Sequence, residues 1–240
     1  MRLPLVATLV TLLAFVIMLG LGTWQLQRAE HKYQRLAKIE QLQSHQGIGL
    51  QQAIEMAEQA LDMPVSFSGK ADIQHSFLLD NKVYQGRVGY EVLIPTATSH
   101  GTVLVNLGWL PAPGLRSELP LIHFSGEHQH FQGMVAMPKA NMLVSETVNR
   151  ADRWPLVIQR VDVGLMSELY GQPLLPFVVL LDAQPDSPFE RHWQAVVMPP
   201  EKHIAYAIQW FLLALASLII FIVAQRKKRS ERNNGQEKQQ

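Results

Sequence analysis

Two stretches without a formal charge constrain this chain more than anything else in it. No Asp, Glu, Lys or Arg occurs from Leu3 to Gln27, and none from Ile204 to Gln225. About 20 apolar residues rising 1.5 Å each cross a hydrocarbon core of ~30 Å, so either run is long enough to span a bilayer. A membrane protein with a span near each end is the immediate expectation. The 240 residues include no cysteine. That excludes a disulfide framework, a thiolate metal site, a Cys-ligated copper chaperone and a Cys nucleophile. A formal charge of +1 gives no reason to expect nucleic acid as a partner.

The first run has the small-x-small order Gly20-Leu21-Gly22, loosely like a signal-peptidase site. A signal core is usually ~7–15 residues, however, and this run is nearer twenty, with only Arg2 ahead of it. A retained anchor is therefore preferred to a cleaved leader. The second run ends in Gln225-Arg226-Lys227-Lys228-Arg229, a strong stop. The resulting plan is transmembrane helix 1 over 3–23, an α+β domain over 24–202, transmembrane helix 2 over 203–224 and a basic tail over 225–240. The tail from Arg226 carries six basic and two acidic residues, whereas 23–203 carries 14 basic and 18 acidic. The positive-inside rule then places both termini in the cytoplasm and the central domain outside. Arg28, Lys32, Arg35 and Lys38 follow the first span on the side assigned to the outside. Their plain reading is a helix continuing out of the bilayer past lipid headgroups. The sharper one is that some of them meet an anionic ligand.

The central segment of about 180 residues is long enough for one domain with its own core. Leu26 to about Leu61 has helical spacing, broken around Ser44–Gly49. Short β-type runs follow, bounded by Gly, Pro, Asn and Asp, over Pro64–Ser68, Ser76–Asp80, Gly89–Pro95, Gly101–Leu107, His128–Val135, Pro155–Val161, Phe177–Leu181 and Arg191–Val197. Val163–Tyr170 is expected to be a short helix. The pattern predicts a mainly antiparallel, small barrel-like sheet. The polar tail is expected to be disordered beyond Ser230.

Catalytic signatures are missing: there is no G-x-S-x-G, H-E-x-x-H or P-loop, and no G-x-G-x-x-G after a strand. His123, His128 and His130 fall in a β-type region, where i and i+2 share a face and two of them can meet one metal. A solvated edge strand is the commoner outcome for such a pattern. Asp182 and Asp186 lie in a Pro-rich loop, which is ordinary turn chemistry. Nothing points to an enzyme.

The junctions between spans and domain are more informative. On the second helix His203, Tyr206, Ala207 and Trp210 are spaced i, i+3, i+4, i+7 and share a face. On the first, Gly20, Trp24, Arg28 and His31 or Lys32 do the same, and small residues (Gly20, Ala207) allow close approach or leave room for a flat ligand. Trp and Tyr belt the interface of most membrane proteins, so the aromatics alone say little. A histidine entering a span, with Gln209 inside it, is costly unless paired or liganded. If a ligand sits there, a metalloporphyrin suits these groups: imidazole for the iron, aromatics for the macrocycle, and Arg28, Lys32 or Lys202 for its propionates. The alternative is a cofactor-free scaffold that clamps a partner membrane protein with the same residues.

At these junctions the chain resembles the Surfeit locus protein 1 family of cytochrome c oxidase assembly factors. The resemblance runs from Gly22-Thr-Trp24-Gln25 to Tyr206-Ala-Ile-Gln209-Trp210-Phe211. Between them come Gly86-Arg-Val-Gly89-Tyr90-Glu-Val-Leu-Ile-Pro95, Val103-Leu-Val-Asn106-Leu-Gly108-Trp109-Leu-Pro111, Trp154-Pro155 with Gln159-Arg160-Val-Asp162, and Arg191-His-Trp193 followed by Pro199-Pro200-Glu201-Lys202-His203. The family usually has Arg where Leu107 stands and often two basic residues where Arg28-Ala29 stands. These departures are expected at the edge of a β-turn and on a helix surface.

The resemblance implies a non-enzymatic role in maturing haem-copper oxidase. The cargo would be haem a, its iron held axially by His203, with Trp24, Arg28, Tyr206 and Trp210 around it. The implied partners are the oxidase catalytic subunit, haem a synthase and the lipid bilayer. With no Arg/Ser-rich transit peptide ahead of the first span, a bacterial inner-membrane setting is expected, the domain being periplasmic. Gly86, Gly89, Gly108 and Pro111 are expected in turns, and Trp109, Trp154 and Trp193 in the core.

Overall fold

A computed structural model describes residues 5–43, 47–114, 118–124, 128–138, 148, 151, 153–193 and 198–237. The chain divides into two compact units, Met1–Lys38 with Val196–Gln240, and Ile39–Ala195.

The first unit is built on two long helices, α1 (Leu5–Gln43) and α4 (Pro200–Glu237). Both carry windows apolar enough to cross a membrane, and only 6% and 11% of those windows is buried within the protein. A core helix of a soluble protein would cover such a surface with its own chain. Here the leucines, isoleucines and valines of both helices stay exposed, and an acyl-chain environment satisfies them. This is a membrane protein with an apolar helix toward each end. With 39 residues α1 is ~58 Å long, about twice the thickness of a hydrocarbon core. Arg28, Lys32, Arg35 and Lys38 therefore ride on an uninterrupted helix that continues past the apolar run. α4 begins at Pro200, where a missing N–H is harmless. It continues to Glu237, so the expected loss of order beyond Ser230 is not found within the described residues; Arg226–Arg229, where the apolar run stops, lie on the same helix.

The second unit holds a mixed sheet. The break expected around Ser44–Gly49 is occupied by β1 (Ile48–Gly49), after which α2 (Leu50–Met56) and a 3₁₀ turn (Ala57–Ala60) complete the helical stretch. The strands that follow are β2 (Pro64–Ala71), β3 (Phe77–Tyr84), β4 (Arg87–Thr98), β5 (Gly101–Pro111), β6 (His128–Ala136), β7 (Leu156–Ile158) and β8 (Leu174–Leu181). Their order is β1-β2-β6-β8-β5-β4-β3-β7, and β2 also pairs with β4 through Lys70–Ala97 and Ala71–Thr96. Antiparallel ladders dominate, with parallel pairs at β1–β2, β3–β7 and β5–β8. The mainly antiparallel expectation holds in an eight-stranded mixed sheet, in which the β2–β4 pairing joins strands that stand apart in this order.

Helix α3 (Val163–Tyr170) has the expected bounds because both ends are capped. Asp162 Oδ1 accepts from the Leu165 N–H at 3.2 Å, and Gly171, at φ 78°, turns the chain left-handed after Tyr170. Of the strand expected over Arg191–Val197, Arg191–Trp193 are described and are not in a strand. The Arg191 guanidinium donates to the carbonyls of Leu107 (2.7 Å) and Asp182 (2.5 Å). Only the neighbouring Glu190 forms a bridge, with Trp109; 194–197 lie outside the described residues.

Two apolar clusters fill the domain. One centres on Leu78, Val92, Ile94, Val105 and Phe177, the other on Phe77, Leu93, Leu104, Ile158 and Met166. Leu107 belongs to the first and is fully buried inside β5, not at the edge of a β-turn. Trp109 is buried in β5, its Nε1–H donating to the Lys82 carbonyl at 3.0 Å, while Trp154 and Trp193 are half-buried. His128 and His130 sit, exposed, on the part of β6 that pairs with β2 alone. Among the described residues no group of three His, Cys, Asp or Glu side chains is placed to hold a metal.

Candidate functional site

The described residues that carry the sequence-based site all belong to the first unit. Proline at the first position of α4 sets His203 at the end of its opening turn, half-buried. Helical spacing then stacks Ala207, Trp210 and Ala214 along the same side, and both alanines are buried. On α1 the buried positions of this region are Gly22 and Ala29, with half-buried Gln25 between them at i+3. Ala29 is thus an interior position rather than the helix-surface one expected.

Three contacts give the relation of the helices. Gly22 lies against the ring of Phe211, the His203 imidazole is bonded to Gln25, and the Tyr33 hydroxyl donates to Glu201 Oε1 at 3.3 Å. Moving forward along α1 moves backward along α4, so the two run antiparallel. The close approach is at Gly22: a Cβ there would stand 2.5 Å from Phe211 Cε1. Gly20, the small residue singled out from sequence, has nothing within 4 Å of where a Cβ would be and leaves open space instead.

The expected ligand-binding residues fall into separate groups. His203 Nδ1 is 2.7 Å from Gln25 Oε1. Trp24 is exposed and carries the Arg28 guanidinium over its ring, 5.4 Å from the centroid, a cation–π arrangement worth up to about 1 kcal/mol at such a site. Tyr206 is exposed and Trp210 half-buried. Among the described residues no hydrogen bond or ring contact joins His203 to Trp24, Arg28, Tyr206 or Trp210. Gln25 is the partner that sequence reasoning passed over. Its signal was there: an amide inside an uncharged run, on the same helical side as Gly22 and Ala29. Gln209, the amide singled out inside the second run, is exposed.

An amide oxygen can only accept, so the short contact makes Nδ1 of His203 the donor. In a neutral ring the other nitrogen, Nε2, then holds a lone pair, the form in which imidazole ligates a metal. The donor set at the junction, one imidazole with aromatic and cationic side chains on the same two helices, matches the chemistry of a flat, anionic metalloporphyrin.

The model of the SURF1 family matches residues 12–215. The chain belongs to the SURF1 family. The matched span contains His203, Gln25, Trp24, Arg28, Tyr206 and Trp210, and so both junctions. A SURF1-like protein of Rickettsia felis is 25% identical over 236 residues, covering 91% of this chain and 96% of the relative. Another SURF1-like protein, from Rickettsia conorii, is 24% identical over 231 residues, covering 90% and 89%. The SURF1 family is known for oxidase assembly factors, and its members are not recognised as enzymes.

Proposed function

We propose that this protein is an assembly factor for haem-copper cytochrome c oxidase that takes haem a at the outer interface of a bacterial inner membrane and passes it to the catalytic subunit. Family membership across both helix junctions is the observation that carries this reading. His203 supplies the axial donor, Trp24, Tyr206 and Trp210 offer apolar surface to the macrocycle, and Arg28 meets the propionates. The cargo enters and leaves sideways through lipid, since the helices that carry these residues expose most of their apolar surface. Haem a synthase is the upstream partner. Both termini are cytoplasmic and the sheet domain is periplasmic, in keeping with the basic tail and the acidic balance of 23–203.

A cofactor-free scaffold that stabilises an assembly intermediate is the second reading. It draws on the His203–Gln25 bond itself, which satisfies one imidazole nitrogen without a ligand. A deletion strain separates them. On the haem reading the oxidase catalytic subunit made without this protein carries less haem a although the synthase still produces it, and a His203→Ala copy fails to restore it. Full restoration by His203→Ala favours the scaffold.

A further inference from the structure

We propose that Gln25 is a positioning residue for His203: its side-chain carbonyl fixes the imidazole as the Nδ1–H tautomer and so reserves Nε2 for a metal. The assignment of Nε2 to haem iron rests on the proposed haem-handling function, whereas the tautomer does not.

The two groups come from helices 178 residues apart in sequence, yet meet at 2.7 Å. Oε1 has no hydrogen to give, so the ring must donate. Which nitrogen of a neutral imidazole is left to bind a metal is set by the hydrogen bond the other makes, and here that bond is donated by Nδ1. Both residues are half-buried, which limits competition from water. The bond also fixes the plane of the ring, because a side chain held at Nδ1 is no longer free to turn about its own torsions. Metal-binding histidines generally donate their second N–H to a carbonyl or carboxylate, and loss of that acceptor typically lowers metal affinity 10–100-fold. Here the acceptor is a neutral amide. A carboxylate would raise the basicity of the imidazole and strengthen its grip on iron; an amide orients the ring without doing so, which suits a site that must release what it holds.

The test uses the full chain in detergent micelles with ¹⁵N-labelled histidine, in alkaline buffer where imidazole is neutral. Long-range ¹H–¹⁵N correlations report the tautomer, and the His203 signals among the nine histidines are identified by their loss in His203→Ala. Wild type should show Nδ1–H, Gln25→Glu should keep it, and Gln25→Leu should shift the population to Nε2–H. Near-UV circular dichroism confirms that each variant is folded, and Gln25→Glu covers the case in which Gln25→Leu is not. Titration with haemin, an iron porphyrin, is the second readout. Gln25→Leu should bind it 10–100-fold more weakly, and Gln25→Glu at least as tightly as wild type with a lower midpoint potential. An Nε2–H ring in wild type, or an unchanged tautomer in folded Gln25→Leu, overturns the proposal. The expected tautomers without haemin binding by wild type uphold the positioning role and overturn the haem reading.

Discussion

Gly22 of α1 faces the ring of Phe211 on α4 so closely that a Cβ at this position would lie 2.5 Å from Cε1 and 2.7 Å from Cζ. Two apolar helices in lipid gain little from burying leucine, since the acyl chains are as apolar as the side chains; close approach at small residues is what lets them pack. Gly22→Val should therefore destabilise the helix pair by about 1–3 kcal/mol, the usual effect of overpacking. Gly20→Val, in open space, should leave it nearly unchanged. Thermal unfolding in micelles followed by far-UV circular dichroism checks both, and combining Gly22→Val with Phe211→Ala should recover much of the loss. Equal effects at 20 and 22 would contradict the packing described.

Gly108 makes a second close approach, inside the sheet domain. Its φ of 127° is a conformation that side chains rarely adopt, and a Cβ would meet the Glu190 carbonyl at 2.8 Å and Phe189 Cβ at 2.9 Å. The distortion is supported by Asn106, buried in β5, whose Oδ1 accepts the Gly108 N–H at 3.1 Å and whose Nδ2 donates to Glu91 Oε2 at 2.8 Å. Gly108→Ala should lower stability by about 1–3 kcal/mol through backbone strain, measured as a lower denaturation midpoint of the full chain. A wild-type midpoint would contradict it.

Tyr170 donates to Asp72 Oδ2 at 3.1 Å, an oxygen that also lies in hydrogen-bond contact with His75 Nδ1 at 2.8 Å. Partial burial and the neighbouring Asp72 charge push the phenol up to about 12 from 10.0. A folded-state value raised above the unfolded one means stability that is complete below pH 10 and fades as pH rises through about 12. Tyr170→Phe should remove that alkaline dependence and lower stability at neutral pH by about 0.5–1.5 kcal/mol, the net worth of a hydrogen bond. Chemical unfolding of both proteins between pH 8 and pH 12 (read by tryptophan fluorescence) gives the comparison; parallel pH profiles would contradict the assignment.

Much of this fold is legible in the sequence where the local signal and the tertiary outcome agree. Val163–Tyr170 is flanked by an Asp that caps and a Gly that terminates, so its bounds are set locally. β3 and β4 run longer than expected, to Tyr84 and from Arg87, because Gln85 and Gly86 both take positive φ and close a tight two-residue hairpin that Gln does not advertise. Leu107 was misplaced for a related reason: the Gly that follows it suggests a turn, yet it marks an irregularity within a continuous β5. At the junctions, helical spacing put His203, Ala207 and Trp210 on one side of α4, where Ala207 is buried, but on α1 the side it singled out, Gly20, Trp24 and Arg28, is exposed, and the buried side carries Gly22, Gln25 and Ala29. It did not say which α1 residue meets His203, because that depends on how two distant helices dock. Trp24 was the conspicuous side chain, but Gln25, one residue on, is the one that bonds it.

The most direct test of the central claim is an optical spectrum of the detergent-purified protein, co-expressed with haem a synthase, for wild type and His203→Ala. Haem handling predicts a haem a band in wild type that is lost in His203→Ala while yield and thermal stability hold. A wild-type protein that purifies without haem a, or a band that persists undiminished without His203, would contradict it.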